Sequence, residues 1–226
     1  MRFPDEKHMS YPADSVTSPR LYYSKIFGRF YRKKLKMLCD CLPQNNIKKV
    51  LEIGFGSGIA LKELSHRSKE VYAIDVHGDM EITKQMLINE GVTNVRLFCH
   101  DIFKDLFMIT DQFDYVVSSS VFEHIAENNL ESGIQHVHRC LKNDGFFLLG
   151  FPLKTKMMNT IFKIFEQTYQ RIAKDIQQFS HAHHHPSGEN EIYPVLKRYF
   201  IIEEERYFIN RFFRLYVVLV CRKKSL

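Results

Sequence analysis

No apolar run in this chain approaches the length of a membrane span. The longest, residues 146–153 and 215–221, hold eight and seven residues, against about 20 for a spanning helix. No apolar core lies within residues 1–15, which carry charges and two prolines, so a secretory leader is not expected. No CxxC pair occurs, and five cysteines are an odd number. Without a leader, the reading is reduced thiols in a cytoplasmic protein. Internal repeats are absent, and the one biased tract is the histidine cluster at 181–185. A strong charge of either sign is missing too. The net charge is +6, and its distribution matters more than its size. Residues 1–49 hold eleven Lys/Arg against four Asp/Glu, and the remainder is close to balanced. That is not the pattern of a dedicated nucleic-acid binder. The densest basic stretch, RFYRKKLK at 29–36, reads either as a solvated helix face or as a docking element for an anionic partner.

What is present is the material of one folded domain: 226 residues, 45% hydrophobic and 26% charged, enough to bury a core without disulfides or a structural metal. Residues 21–42 carry Tyr23, Ile26, Phe27, Phe30, Leu35 and Leu38 at roughly helical spacing, with Pro43 ending the segment. A regular alternation follows. Strands are predicted at 49–53, 71–76, 95–100, 113–118 and 145–151, with helices at 59–65, 79–90 and 127–141 between them. Apolar strands separated by helices specify a parallel sheet covered on both faces. The last quarter breaks this rhythm. Residues 157–179 space Ile161, Phe162, Phe165 and Tyr169 along one helical face. A short helix is predicted at 190–199, with Pro194 in its first turn. Strands at 200–207 and 215–222 are joined by too few residues for a helical crossover, so they pair as an antiparallel hairpin.

The first strand runs into a glycine-rich turn, with Glu52, Gly54, Phe55, Gly56, Ser57 and Gly58 in sequence. Glycines there allow a tight bend and close approach of a ligand to the backbone. By itself such a turn is shared by several nucleotide sites. The dinucleotide pattern GxGxxG fails, because Ile59 stands where its third glycine belongs. Glu52, two residues before the first glycine, repels a pyrophosphate and suits a ligand carrying an amine. Asp75 ends the second strand, placed to accept hydrogen bonds from ribose hydroxyls. The ligand implied is a nucleoside with a cationic, amine-bearing tail.

At these residues the chain resembles the class I S-adenosylmethionine-dependent methyltransferases, in the small-molecule branch often called type 11. The matching segments are VLEIGFGSG at 50–58, VYAIDVHGDM at 71–80, CHDIF at 99–103, FDYVVSSSVFEHI at 113–125 and LKNDGFFLLGFP at 141–152, in that family's order and spacing. The resemblance implies an α/β fold, a three-layer αβα sandwich around a Rossmann-like, seven-stranded, mostly parallel sheet of order 3-2-1-4-5-7-6. It implies S-adenosyl-L-methionine as cofactor. Glu52 would face the methionine amine, and Gly54, Phe55, Gly56, Ser57 and Gly58 would line the methionine and ribose. Asp75 would hold the ribose and Val76 pack on the adenine. Asp101 would accept from the adenine amino group with Ile102 on the ring's other face; Ser118 and Ser119 would border the methionine tail. Asp101 reads equally as a loop or capping acid. Val76-His77-Gly78 departs from the Ser-Pro that many relatives carry after the ribose acid.

Methyl transfer from a sulfonium is an in-line displacement, so the protein chiefly aligns the nucleophile and excludes water. Where the acceptor must lose a proton, His124 is the nearest titratable candidate to the end of the fourth strand; it reads equally as a residue packing at a helix start. The 181–185 histidines can line a substrate or stand in solvent. No metal is expected, since serines 118–120 stand where metal-dependent relatives use acids. The expected organisation is an N-terminal helical arm at 1–44 and a methyltransferase domain at 45–226 with a helical lid at 152–190. The expected acceptor is, by elimination, a small molecule, and the aromatic density of the arm and of residues 157–179 makes it apolar or aromatic. Alternatives are a macromolecular acceptor or a non-catalytic scaffold that keeps the fold.

Overall fold

The computed structural model describes residues 1–9, 20–25, 28–76, 80–108, 110, 112–153, 186–209 and 214–225. The expected lid helix at 157–179 and the 181–185 histidines lie outside them. The elements are α1 (Arg20–Tyr23), α2 (Gly28–Cys39), β1 (Ile47–Ile53), α3 (Leu61–Arg67), β2 (Ser68–Asp75), α4 (Met80–Asn89), β3 (Val95–Cys99), β4 (Phe113–Ser119), α5 (Glu127–Cys140), β5 (Leu141–Pro152), α6 (Glu189–Tyr199), β6 (Phe200–Ile209) and β7 (Arg214–Lys223). Short 3-10 turns stand at Glu6–His8 and Phe122–His124.

The seven strands form one sheet of order β3-β2-β1-β4-β5-β7-β6. The first five are parallel, and β7 runs antiparallel between β5 and β6. Period-two alternation sorts the strand residues onto two faces. Leu51, Ile53, Phe147, Leu149, Val217 and Leu219 join one core with α5 and α6. Val50, Val71, Ala73, Leu148, Tyr216 and Val218 join the other with α2, α3 and α4. This is the three-layer αβα sandwich that the alternation of strands and helices specified.

The arm differs from the single helix expected over 21–42. Among the described residues it holds two helices, and the second begins at a close approach to the first: a Cβ at Gly28 would lie 2.5 Å from the Tyr22 carbonyl oxygen. Nor does Pro43 end the second helix, which stops at Cys39. Arg67 of α3 donates to the carbonyls of Cys39 (2.7 Å) and Leu42 (3.0 Å), satisfying acceptors that a helix end leaves open. Arg67 also pairs with Glu63 in the interior, both residues 3% exposed. Glu63 in turn accepts from the Arg2 amide (2.6 Å), and Glu90 accepts from the Asp5 amide (2.6 Å) and meets His8 (2.7 Å). The first residues are thus pinned to α3 and α4, while α2 lies against β5, β7 and β6. Pro194 falls in the second turn of α6, not the first. The helix starts at Glu189 because Glu191 accepts from the Gly188 amide (2.6 Å), organising the chain one residue earlier.

Candidate functional site

The site grows from the ends of β1, β2 and β4. After Ile53 the chain must turn sharply to enter α3, and it does so with Gly54, Gly56 and Gly58 all at positive φ, +76°, +50° and +75°. Side chains rarely adopt that region. At Gly54 space forbids them as well: a Cβ would sit 2.2 Å from Cγ2 of Val121. Val121 follows β4, so the first glycine packs directly against the segment carrying Phe122–His124. The Gly56 amide donates to Oδ2 of Asp75 at 2.8 Å, and the Gly54 amide to Ile74 O at 2.8 Å. The acid of β2 and the turn after β1 therefore brace each other across the parallel register that pairs Glu52 with Ala73.

Glu52 is the electrostatic anomaly of this end of the sheet. It is 6% exposed, and its Oε2 has no hydrogen-bond partner. Burial, and secondarily the neighbouring Asp75 carboxylate, push its carboxyl up to about 8. A buried, unpaired acceptor costs free energy unless a donor meets it. A ligand ammonium is such a donor, so the residues present fit an amine-bearing nucleoside. The Tyr22 hydroxyl of α1 is pushed above its usual range by burial and, in smaller measure, by Tyr31 and Glu52; the arm roofs this part of the site.

Beside it lies a second polar group. Glu123 is 1% exposed, its Oε2 also lacks a partner, and burial raises its carboxyl, opposed by Lys34. The Lys34 ammonium of α2 stands 4.4 Å from the Tyr216 ring centroid, 5.0 Å from that of Tyr31 and 5.7 Å from that of Phe30. Burial lowers its affinity for the proton, opposed by Glu123. The fully buried Tyr216 of β7 shares a hydrogen bond with Ser119 Oγ at 2.9 Å and accepts from Ser120 Oγ at 3.4 Å. Gly150 of β5 leaves the room for this, since a Cβ there would lie 2.5 Å from the Tyr216 hydroxyl. Ser120 itself has φ +59°, a conformation uncommon outside glycine and concentrated at functional sites.

The structure brings Glu52, Gly54, Gly56, Gly58 and Asp75 together. Ser57 is half-buried in the same turn, and Phe55, 5% exposed, is packed in the core beneath it. Val76 is 51% exposed just beyond Asp75, an apolar surface at the ligand end of β2. Asp101 caps its own loop, Oδ1 accepting from the Phe103 amide at 3.0 Å, with Lys104 3.3 Å from Oδ2; Ile102 is buried against Phe103 and Phe122. Ser118 donates to Ile53 O at 3.1 Å, stitching β4 to β1, and Ser119 faces Tyr216. His124 keeps a side chain 43% exposed, with Nε2 4.0 Å from Glu123 Oε1. Sequence reasoning passed over Glu123, Lys34 and Tyr216. A Glu-His pair at a helix start does not reveal which member is buried, and Lys34 is one cation in a basic run. Among the described residues, no group of three or more His, Cys, Asp or Glu is placed to hold a metal ion.

This sheet order, with an acid before a glycine turn and a second acid ending β2, has the arrangement of the class I methyltransferase fold. The comparisons with known proteins agree. Residues 50–145 match the family model of a methyltransferase domain. An uncharacterized methyltransferase of Oceanobacillus iheyensis is 28% identical over 188 residues, covering 81% of this chain and 78% of that protein. The cyclopropane-fatty-acyl-phospholipid synthase of Escherichia coli is 34% identical over 117 residues, 51% of this chain but only 29% of the synthase. In fold, a Pyrococcus horikoshii protein superposes with TM-score 0.70 at 17% identity, covering 95% of this chain and all of that one. The N-methyltransferase NodS of Bradyrhizobium japonicum, solved with S-adenosyl-L-homocysteine, gives 0.63 at 14% identity, covering 94% and 95%. Residues 50–145 thus form a methyltransferase domain. No helix among the described residues is long and apolar enough to cross a membrane.

Proposed function

We propose that the protein transfers the methyl group of S-adenosylmethionine to a small apolar or aromatic acceptor lodged beneath the N-terminal arm. The observation that carries the cofactor side is the buried, unpartnered Oε2 of Glu52. An ammonium placed there is desolvated together with a counter-charge, and the raised carboxyl reverts to its ionised form. Gly54, Gly56 and Ser57 offer their backbone to the amino-acid tail; Asp75, already oriented by the Gly56 amide, offers its carboxylate to the ribose; Val76 offers apolar surface to the adenine. Asp101 and Ile102 border the adenine loop through Asp101's outer oxygen, while Ser118 and Ser119 hold β4 in place beneath the tail. When bound, the cofactor supplies an activated methyl on a sulfonium. The chain's own residues align the acceptor, keep water out and receive its proton.

On the acceptor side, the rings of Phe30, Tyr31 and Tyr216 gather around the Lys34 ammonium, with Tyr22 5.5 Å from Tyr31, aromatic surface of the kind that lines small-ligand sites. His124, the exposed imidazole of the 122–124 turn, carries the released proton toward solvent. The reading is tested by titration calorimetry of the ligand-free protein. S-adenosylhomocysteine is expected to bind at low micromolar affinity or better, roughly −8 kcal/mol, and NAD not to bind. The reverse order would overturn the assignment of the site.

A further inference from the structure

The cluster around Glu123 is built more carefully than a packing role requires. Three elements converge on it: α2 brings Lys34, β7 brings Tyr216, and the turn after β4 brings Ser120 and Glu123. Gly150 is needed for the Tyr216 hydroxyl to pass, and Ser120 takes a costly backbone conformation. The return leg of the chain is fastened to the same turn, with the Ser187 amide donating to Glu123 O (3.3 Å) and the Ser187 hydroxyl to Ile125 O (2.6 Å). Yet the group at the centre has an oxygen with nothing to accept from. The Lys34 ammonium, facing Glu123, lies over three rings without reaching the carboxylate as an ion pair. An interior acid and an interior base thus influence each other without an ion pair. Through Val121 against Gly54, the turn that carries Glu123 adjoins the amino-acid end of the cofactor turn.

Opposite charges held apart discriminate between acceptors. A protonated amine that pairs with Glu123 is repelled by Lys34. A carboxylate that pairs with Lys34 is repelled by Glu123. A neutral hydroxyl meets neither repulsion, can donate to Glu123 Oε2, and exposes to Lys34 the oxygen on which negative charge grows. The aromatic walls suit a flat or apolar body behind it.

We propose that Glu123 and Lys34 form the acceptor-binding pair of this enzyme, Glu123 taking the proton of an acceptor hydroxyl and Lys34 stabilising the attacking oxygen, so that the acceptor is a neutral phenol- or enol-class compound. The proposal rests on the methyltransferase reading above. The step balances: the acceptor O–H proton passes to Glu123, the oxygen's electron pair forms the new O–C bond to the methyl, and the methyl's bond to sulfur breaks with its electrons remaining on the now neutral sulfur. Glu123 then loses the proton to solvent by way of His124.

The test uses the full chain saturated with S-adenosylhomocysteine at pH 6, where 4-nitrophenol is chiefly the neutral phenol, and three probes of matched size: 4-nitrophenol, benzylamine and benzoate. Binding of 4-nitrophenol is followed by its absorbance, and the other two by competition. The phenol is expected to bind at least tenfold more tightly than either competitor. Glu123→Gln and Lys34→Met should each weaken it about tenfold, while S-adenosylhomocysteine affinity stays within twofold. In turnover with methyl-labelled S-adenosylmethionine and 4-nitrophenol, Glu123→Gln should lower kcat by roughly 100-fold or more, the scale of a lost general base. Tighter binding of benzylamine or benzoate, no binding of 4-nitrophenol at millimolar concentration, or unchanged binding by both folded variants would each overturn the proposal. Should Glu123→Gln fail to fold, Lys34→Met on the arm carries the same comparison. Failure of S-adenosylhomocysteine itself to bind would instead strike the reading beneath, so the two failures are distinguishable.

Discussion

Replacing Glu52 with glutamine keeps the volume of the side chain and removes only its charge. In the ligand-free protein the carboxyl titrates near 8 rather than at its ordinary 4.5. Between those values the native state holds a proton that the unfolded chain has released, so stability falls as pH rises through this window; below about 4.5 the penalty is absent. Each unit of displacement corresponds to about 1.4 kcal/mol, so the penalty at pH 8 is bounded near 5 kcal/mol and is about 2 kcal/mol once relaxation around the buried charge is allowed for. Glu52→Gln has no such charge to bury. It should therefore be more stable than the wild type by about 2 kcal/mol at pH 8 and nearly equal to it at pH 4.5. Binding should change in the opposite sense. Without the carboxylate, the ammonium of S-adenosylhomocysteine loses a charge-assisted hydrogen bond of about 1.5–3 kcal/mol, roughly 10- to 150-fold in affinity. Wild-type affinity should also rise from pH 6 to pH 8 as Glu52 ionises, and that of the variant should not. Urea unfolding at the two pH values and calorimetry of the same samples read both effects. A variant that is less stable at pH 8 and binds S-adenosylhomocysteine as tightly as the wild type would refute the role of this carboxylate.

Asp75→Ala removes the acceptor of the Gly56 amide and the proposed ribose partner; calorimetry should show S-adenosylhomocysteine binding weakened by about 1.5–3 kcal/mol in a protein that still melts cooperatively. Gly54→Ala places a Cβ at positive φ and onto Val121, which should cost about 2–4 kcal/mol in denaturant unfolding, with cofactor affinity lost before the fold. Arg67→Ala strands the buried Glu63 and frees the Cys39 and Leu42 carbonyls. A loss of about 3–5 kcal/mol is expected, and a loss under 1 kcal/mol would mean that the arm is not held to α3 in the way described.

Local pattern carried the fold a long way. The order of the strands came from the resemblance to a known family, but apolar strands at regular intervals and a short final connection are enough to specify a parallel sheet covered on both faces and a terminal antiparallel hairpin, because both follow from backbone geometry. The same holds for Glu52 and Asp75, which a glycine turn places by its own geometry. Boundaries were less legible. The need for glycine at 28 depends on a carbonyl of the preceding helix, the end of α2 on a guanidinium from α3, and the start of α6 on one amide-to-carboxylate bond. None of these leaves a periodic trace.

The sequence by itself pointed to the class of ligand and to the residues proposed to hold it, since an acid, three glycines and a second acid act through local turn geometry and intrinsic charge. The tertiary structure alone decided which of many ordinary residues become chemical groups. Glu123 and His124 are neighbours in the chain, yet one is 1% exposed and the other has a side chain 43% exposed. Lys34 differs from Lys33 and Lys36 only in facing Tyr216 and Glu123 across the fold. Desolvation, which sets how costly a charge is and what partner it needs, depends on atoms distant in sequence, and so it is fixed only when β7, α2 and the turn after β4 are brought together.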